Sequence, residues 1–287
     1  MAQQLQERVI TAQLDRSLLA RMWPPWWAAC LVQDIADLRR FRHVLRNFVV
    51  TDLKTRYQRS ALGFLWTMLH PVMMMTVLAI VFSQVMRWDL GQYALYLFSG
   101  LIPWQFFSSA VSNGSNALLV NEQLIKRIEV PKFLFPLNCV LVAGVNMFFE
   151  IVALFIMFNF FGATLHVQII LFPVGIVFLG VFSLGIAMIA MTLLARFRDF
   201  QHIITILLQA IYFACPILYE RKFIEKYPAM ITFNPMAYIL EFFQDAFYYG
   251  VWPSWQTWVV APACAVAAFL LGYIIYKHCE PSYVFWL

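Results

Sequence analysis

The residues best suited to chemistry sit at the margins of long apolar tracts. Arg56 and Arg59 lie three apart at the entrance to an uncharged stretch. Guanidinium groups grip phosphate through planar, charge-assisted and often bidentate bonds, so the pair is a candidate site for a phosphate-bearing substrate. A helix resting on lipid phosphates would use the same residues. Glu241 and Asp245 stand one helical turn apart, the spacing of an acid and base pair acting from one face. Glu150 is the only acidic residue well inside an apolar tract. A carboxyl there faces a bundle interior, either held by a structural partner or placed on a transport or gating path.

Other chemistry has no foothold. There is no Gly-x-x-x-x-Gly-Lys-Ser/Thr phosphate loop, no Gly-x-Ser-x-Gly and no His-Glu-x-x-His. His43, His70, His166, His202 and His278 have no ligand spacing, so no metal site is expected. The five cysteines (Cys30, Cys139, Cys215, Cys264, Cys279) are scattered, odd in number and without a Cys-x-x-Cys pair, and read as small core residues. Any energy from ATP is expected to enter through another chain.

The elements that must hold these residues are membrane spans. Ser60 to Met86 contains no Asp, Glu, Lys or Arg in 27 residues, where about 20 suffice to cross a bilayer. Leu90–Asn121, Phe133–Leu165, Val167–Ala195, Phe200–Tyr219 and a tract near Trp255–Tyr276 follow, which predicts six transmembrane helices in an all-α membrane protein. Apolar residues make up 62% of the chain, against about 45 to 50% in soluble domains, and mean hydropathy is +0.73. Residues 1–60 are expected to form a cytoplasmic N-terminal arm and residues 61–287 one six-helix domain. The start lacks the apolar core of a secretory signal.

Charge sets the orientation. With the arm inside, 16 of the 20 Lys and Arg fall on the cytoplasmic side and four (Arg87, Arg221, Lys222, Lys226) outside, which predicts both termini inside. The net charge of +5 is then accounted for by anionic lipid headgroups, and nucleic acid is not needed as a partner.

Within the arm, Ile35, Leu38, Phe41, Leu45, Phe48, Val49 and Leu53 form one stripe at helical spacing. Arg39, Arg40, Arg42, Arg46 and Lys54 lie opposite, as expected of an amphipathic helix lying in the interface. The loop NEQLIKRIEVPKFLFP mixes charge with Leu124, Ile125 and Ile128, and reads as a short amphipathic helix across the ends of two spans, either a turn at the headgroups or a docking element for a cytoplasmic partner. Asn234-Pro235 is a helix start, with Asn as N-cap and Pro in the first turn. Eight aromatics between Phe242 and Trp258 suit an interfacial belt, or a substrate exit where sugar rings lie on aromatic faces. Pro71 and Pro103 predict kinks in the first two spans.

Four separated motifs add a resemblance. TRYQRSALGFLWTMLHP at 55–71, YLFSGLIPWQFFSSAVSNGSNALLVNEQLIKRIEVPKFLFP at 96–136, RFRD at 196–199, and ACPILY with FNPMAYILEFFQDAF at 214–247 resemble, in order, the type-2 ABC exporter permeases. The nearest branch is the permeases that export lipid-linked O-antigen, capsule or teichoic-acid polymers. The resemblance implies a homodimer joined to two copies of an ABC ATPase subunit, which binds the ATP and Mg; this chain would do no covalent chemistry. It also implies an interface helix at about 35–59, and a coupling helix at about 118–130 that presents Glu122, Leu124, Ile125, Lys126, Arg127 and Ile128 to the ATPase. Short outer re-entrant helices would span about 221–230 and 235–249. Trp66, Tyr212, Phe213 and Tyr219 are candidate conduit residues by position, and packing would equally explain them. The expected activity is ATP-driven passage of a polyprenyl-pyrophosphate-linked glycan, with the phosphates at Arg56 and Arg59, across a bacterial inner membrane. A drug or lipid exporter shares the plan but often carries a large outer domain. A membrane enzyme acting on polyprenyl-phosphate sugars would have to rely on Glu241 and Asp245 at the outer rim.

Overall fold

The computed structural model describes residues 26–57, 66–87, 89–128, 130–160, 166–221 and 233–286. All regular elements among them are helical. The arm gives α1 (Trp26–Arg40) and α2 (Arg42–Tyr57), then come α3 (Trp66–Met86), α4 (Leu90–Val120), α5 (Glu122–Arg127) and α6 (Leu134–Phe160). A 3-10 turn at Val167–Leu171 leads into α7 (Phe172–Arg196), followed by α8 (Phe200–Ala214) and α9 (Pro235–Gln244), which continues as a π turn over Asp245–Tyr249. The last long helix is α10 (Trp255–Cys279), and after a 3-10 turn the short α11 (Tyr283–Trp286) ends the described chain.

Among the described residues, four helical stretches are long and apolar enough to cross a membrane: Leu90–Val120, Leu134–Ile156, Val167–Arg196 and Trp255–Ser282. Val72–Val85, within α3, and α8 are apolar but shorter. The central element is α4. Its N-terminus is fixed by Asp89, whose carboxylate accepts from the amides of Gly91 and Gln92 at 3.0 and 3.3 Å. Pro103 is accommodated without ending the helix. Asn234 caps α9 as its sequence predicts, accepting from the Met236 amide at 3.1 Å with Pro235 in the first turn.

The tightest crossing is α7 against α10, where small residues let the backbones meet. A Cβ on Gly272 would stand 2.2 Å from the Gly185 carbonyl oxygen, and one on Gly185 would stand 2.4 Å from the Ala268 backbone. By contrast nothing lies within 4 Å of a Cβ on Gly180 of the same helix. Gly272→Leu is therefore expected to remove most of the protein from the membrane fraction, since overpacking against rigid backbone costs about 1 to 3 kcal/mol or more. Gly180→Leu should accumulate normally; equal levels of the two variants, compared on immunoblots, would contradict this crossing.

The arm departs from the expected single interface helix. It is two helices meeting at Phe41, through which backbone hydrogen bonds continue from Asp37 and to Leu45. Leu38, Phe41, Leu45, Phe48, Val49 and Leu53 are half-buried, Ile35 is 48% exposed and its neighbour Asp34 only 7%. A buried carboxylate is tolerable there because Lys277 and Tyr273 bond to it, at 3.0 and 2.7 Å. Phe48 stacks on Phe135 at 5.9 Å, and Asn138 of α6 donates to the Asp52 carboxylate, which docks α2 on the start of α6.

Candidate functional site

Beside α4 runs a groove of about 400 Å³. Its wall on α4 is Leu101, Trp104, Gln105, Ser108 and Ser112, residues that recur at helical spacing on one face. The facing wall on α8 is Thr205, Leu208, Gln209 and Tyr212, again one face, and Met74 and Leu78 of α3 complete it. Five uncharged hydrogen-bonding side chains thus face one space among apolar helices. Trp104 and Tyr212 stand 5.6 Å apart, ring centre to ring centre, and add two aromatic surfaces. None of the lining side chains carries a charge. The groove can hydrogen-bond hydroxyl and amide groups and pack flat C–H faces, and has nothing to neutralise an anion.

The α3 and α8 helices bordering the groove each also carry an exposed apolar face. On α8 only Ile204 is buried, and Ile206 is 67% exposed; on α3, Val77 is 58% exposed, and Met73, Ile80 and Val81 are exposed too.

Beyond α8 the chain leaves the helix at Cys215, and residues 215–218 are buried. Irregular backbone at membrane depth must find hydrogen bonds within the protein. Here Tyr96 donates to the Pro216 and Tyr219 carbonyls at 2.9 and 2.7 Å, Tyr93 to Leu218 at 2.8 Å and Gln244 to Pro216 at 2.7 Å. These four bonds fix the end of α8 to α4 and α9.

Of the four positional candidates for the conduit, Tyr212 lines the groove. Phe213 is 55% exposed on another face of α8, with its ring 5.3 Å from that of Tyr212. The Tyr219 hydroxyl donates to the Phe213 carbonyl, so this ring belongs to the turn after α8. Trp66 is exposed at the first residue of α3 and is not among the groove residues. Arg59 lies outside the described residues, and Arg56 is placed near the end of α2 by its backbone. Ser108 and Ser112 fall in the polar last third of the second tract, SSAVSNGSNALLVN, which reads as leaving the hydrocarbon or lining a cavity, whereas Gln105, Thr205 and Gln209 escaped the sequence reading. Their only signal was polarity recurring at helical spacing inside two apolar tracts.

At one end of the bundle, α4 stops at Asn121 and α5 begins at Glu122, a shorter helix than the expected 118–130. Leu124 and Ile125 pack on the core, while Lys126, Arg127 and Ile128 are exposed. Glu122 pairs with Lys126 at 2.7 Å. The Lys126 ammonium holds the Glu122 carboxyl below its usual range, and the Arg198 charge adds to the effect. The RFRD turn therefore lies near α5.

At the other end, Glu241 and Asp245 do not form a free acid and base pair. Glu241 is 8% exposed, takes an ion pair from Arg221 at 2.8 Å and accepts from the Thr257 hydroxyl. Burial, then the Glu241 charge, push Asp245 up from 3.8 to about 7, with Arg221 pulling it back. A carboxyl that binds its proton more tightly folded than unfolded stabilises the fold most below its unfolded pKa and loses that stability as pH rises toward the folded value. Asp245→Asn should thus raise the melting temperature in detergent at pH 8 and leave it nearly unchanged at pH 4. A rise confined to the lower pH would contradict the environment assigned to Asp245.

Among the described residues, no group of three His, Cys, Asp or Glu is placed to hold a metal, and the five cysteines are free. Within the α6 span, Asn146 Oδ1 and Glu150 Oε2, one turn apart, are buried without a hydrogen-bond partner in the protomer.

The sequence profile of the ABC-2 type transporters matches residues 45–248, which take in α2, the groove, α5 and α9. The chain belongs to the ABC-2 type transporter family. An O-antigen export system permease protein RfbA of Myxococcus xanthus is 31% identical over 221 residues, covering 76% of this chain and 85% of the relative. A protein of the same name from Klebsiella pneumoniae is 32% identical over 203 residues, 70% of this chain and 78% of its own. The polysialic acid transport protein KpsM of Escherichia coli is 25% identical over 206 residues, 68% of this chain and 77% of its own. In this ABC-2 transporter chain, α1 and the residues from 249 onward lie outside the matched profile. The family and the apolar helices make it a multi-pass membrane protein.

Proposed function

We propose that this chain is the permease subunit of an ABC transporter that exports a polyprenyl-pyrophosphate-linked polysaccharide across a bacterial inner membrane. The carrying observation is the groove between α3, α4 and α8. Its uncharged donors and acceptors, with two aromatic faces, suit a polymer of hydroxyl-rich rings that must slide and not be held. The names of the M. xanthus, K. pneumoniae and E. coli relatives support the same substrate class.

The working unit is a homodimer with two copies of a separate ATPase subunit, which bind ATP and Mg. The bare faces of α3 and α8 support pairing along these helices, with the groove on the shared path. The permease has six spans, both termini cytoplasmic. At a rise of 1.5 Å per residue, the 15 residues of α8 cover about 22 Å, and the buried 215–218 segment supplies the rest of the fifth span. Outside, α9 serves as a re-entrant helix; the companion expected at 221–230 lies almost wholly outside the described residues. The α5 helix docks on the ATPase. The substrate's pyrophosphate is held at the inner leaflet by Arg56 and Arg59, before its sugars meet the uncharged groove.

Arg56→Lys and Arg59→Lys keep charge but lose the planar fork, so each should impair export less than the alanine variant, for a contact worth about 1.5 to 3 kcal/mol. Normal export by both alanine variants would leave these residues a lipid-anchoring role. The proposal as a whole is tested by depletion. Polymer should accumulate on its carrier inside the cell and disappear from the surface. Intact surface glycan with new sensitivity to small hydrophobic compounds would overturn it in favour of a drug exporter.

A further inference from the structure

At the α5 end, two cations and two carboxylates are wired together across three distant segments. Lys277, near the end of α10, bonds to Asp34 Oδ1 of α1 at 3.0 Å and to Glu280 Oε2 at 2.8 Å. The remaining oxygens are also taken: Tyr273 donates to Asp34 Oδ2 at 2.7 Å, and Tyr276 to Glu280 Oε1 at 3.0 Å. Lys132, five residues past α5, donates to the Glu280 carbonyl at 3.2 Å. Its neighbour Phe133 packs its ring 6.3 Å from those of both Tyr273 and Tyr276. Side-chain exposure of Asp34 and Lys277 is 8% and 12%.

Such a network is a costly way to hold an arm in place. Desolvating ion pairs offsets much of their attraction, and apolar contacts hold helices together at least as well. Apolar contacts are already present, since Trp27, Cys30, Leu31 and Leu38 pack on the core. What the network adds is direction. Each carboxylate has both oxygens engaged, so α1, the end of α10 and the 132–133 segment cannot slip past one another without breaking several bonds at once. Pro131, between α5 and Lys132, stiffens the connection.

We infer that the Lys132–Glu280–Lys277–Asp34 chain is a strut that makes the loop bearing α5, the last span and the N-terminal arm move as one body during the transport cycle. This rests on the permease reading above and extends it: a push on α5 reaches α10 and α1 directly, and through α1 the adjoining α2 that would lie under the inner headgroups. Asp34, Lys277 and Glu280 are then positioning residues for coupling, and touch neither substrate nor nucleotide.

The test uses the full chain purified with its co-expressed ATPase, together with surface glycan measured in cells. Asp34→Asn is expected to cut export by about tenfold, within the usual range of coupling between sites, while complex yield and ATP hydrolysis stay near normal; Lys277→Met should cut export as far but also lower yield, because it leaves the Asp34 carboxylate buried without its cation. The double variant should be no worse than either single, because both remove one link. Lys277→Arg should restore export. If export, hydrolysis and yield fall together in Asp34→Asn, the cluster is only structural and the strut is overturned; additive single effects on export, or normal export by both variants, overturn it as well. Export by cells lacking the chain altogether would instead defeat the permease reading, so the two failures are told apart.

Discussion

Tryptophan at both Thr205 and Gln209 is expected to stop export almost completely, by about a hundredfold or more, equivalent to roughly 2.8 kcal/mol at about 1.4 kcal/mol per decade. Both residues are exposed on α8 in the protomer and face the groove of about 400 Å³. Each indole carries on the order of 150 to 250 Å² of surface into that space. An apolar side chain there suits the membrane, so insertion and ATP hydrolysis should persist. Gln209→Asn keeps the amide and should export at a near-normal rate. Export unaffected by the double tryptophan variant would mean that the polymer passes elsewhere.

A loss of similar size is expected from reversing charge on α5. Lys126→Glu with Arg127→Glu removes the ion pair to Glu122, a solvent-exposed pair that adds little to the fold, so the chain should still reach the membrane. The exposed basic pair would become an acidic one beside the packed Leu124 and Ile125. Export should fall to background, with the ATPase either lost on purification or hydrolysing without transport. Wild-type export with unchanged ATPase recovery would leave α5 as a turn at the headgroups.

Much of this framework can be read from the chain. Long apolar tracts, broken by charge only at Glu150, announce α3, α4, α6, α7 and α10, because a bilayer demands that length. The caps at Asn234 and Asp89 follow from local chemistry, although only Asn234-Pro235 stood out as a helix start. What stays hidden is what depends on which helix faces which. Gln105, Thr205 and Gln209 carry no charge and look like ordinary residues of apolar tracts until α4 and α8 are set side by side, whereas Ser108 and Ser112 lie in a stretch whose polarity already suggests a cavity. Asp34 and Lys277 are separated by 243 residues, and no local pattern links them. The stripe in the arm counts only apolar residues and gives no hint that Asp34 is buried, which two partners on α10 make acceptable. Nor does tract length reveal that α8 ends at Ala214 and that the chain continues as irregular backbone held by Tyr93, Tyr96 and Gln244.

The claim that the groove carries the polymer is tested most directly by a photo-crosslinking amino acid at Gln209 in otherwise intact cells, with the same reagent at Val177, an exposed residue of α7, for comparison. Illumination during export should yield, from position 209 alone, a product that carries both this chain and surface-type glycan, and that vanishes when polymer synthesis is blocked. Glycan captured equally from both positions, or lipid alone captured at 209, would contradict a polysaccharide path through this groove.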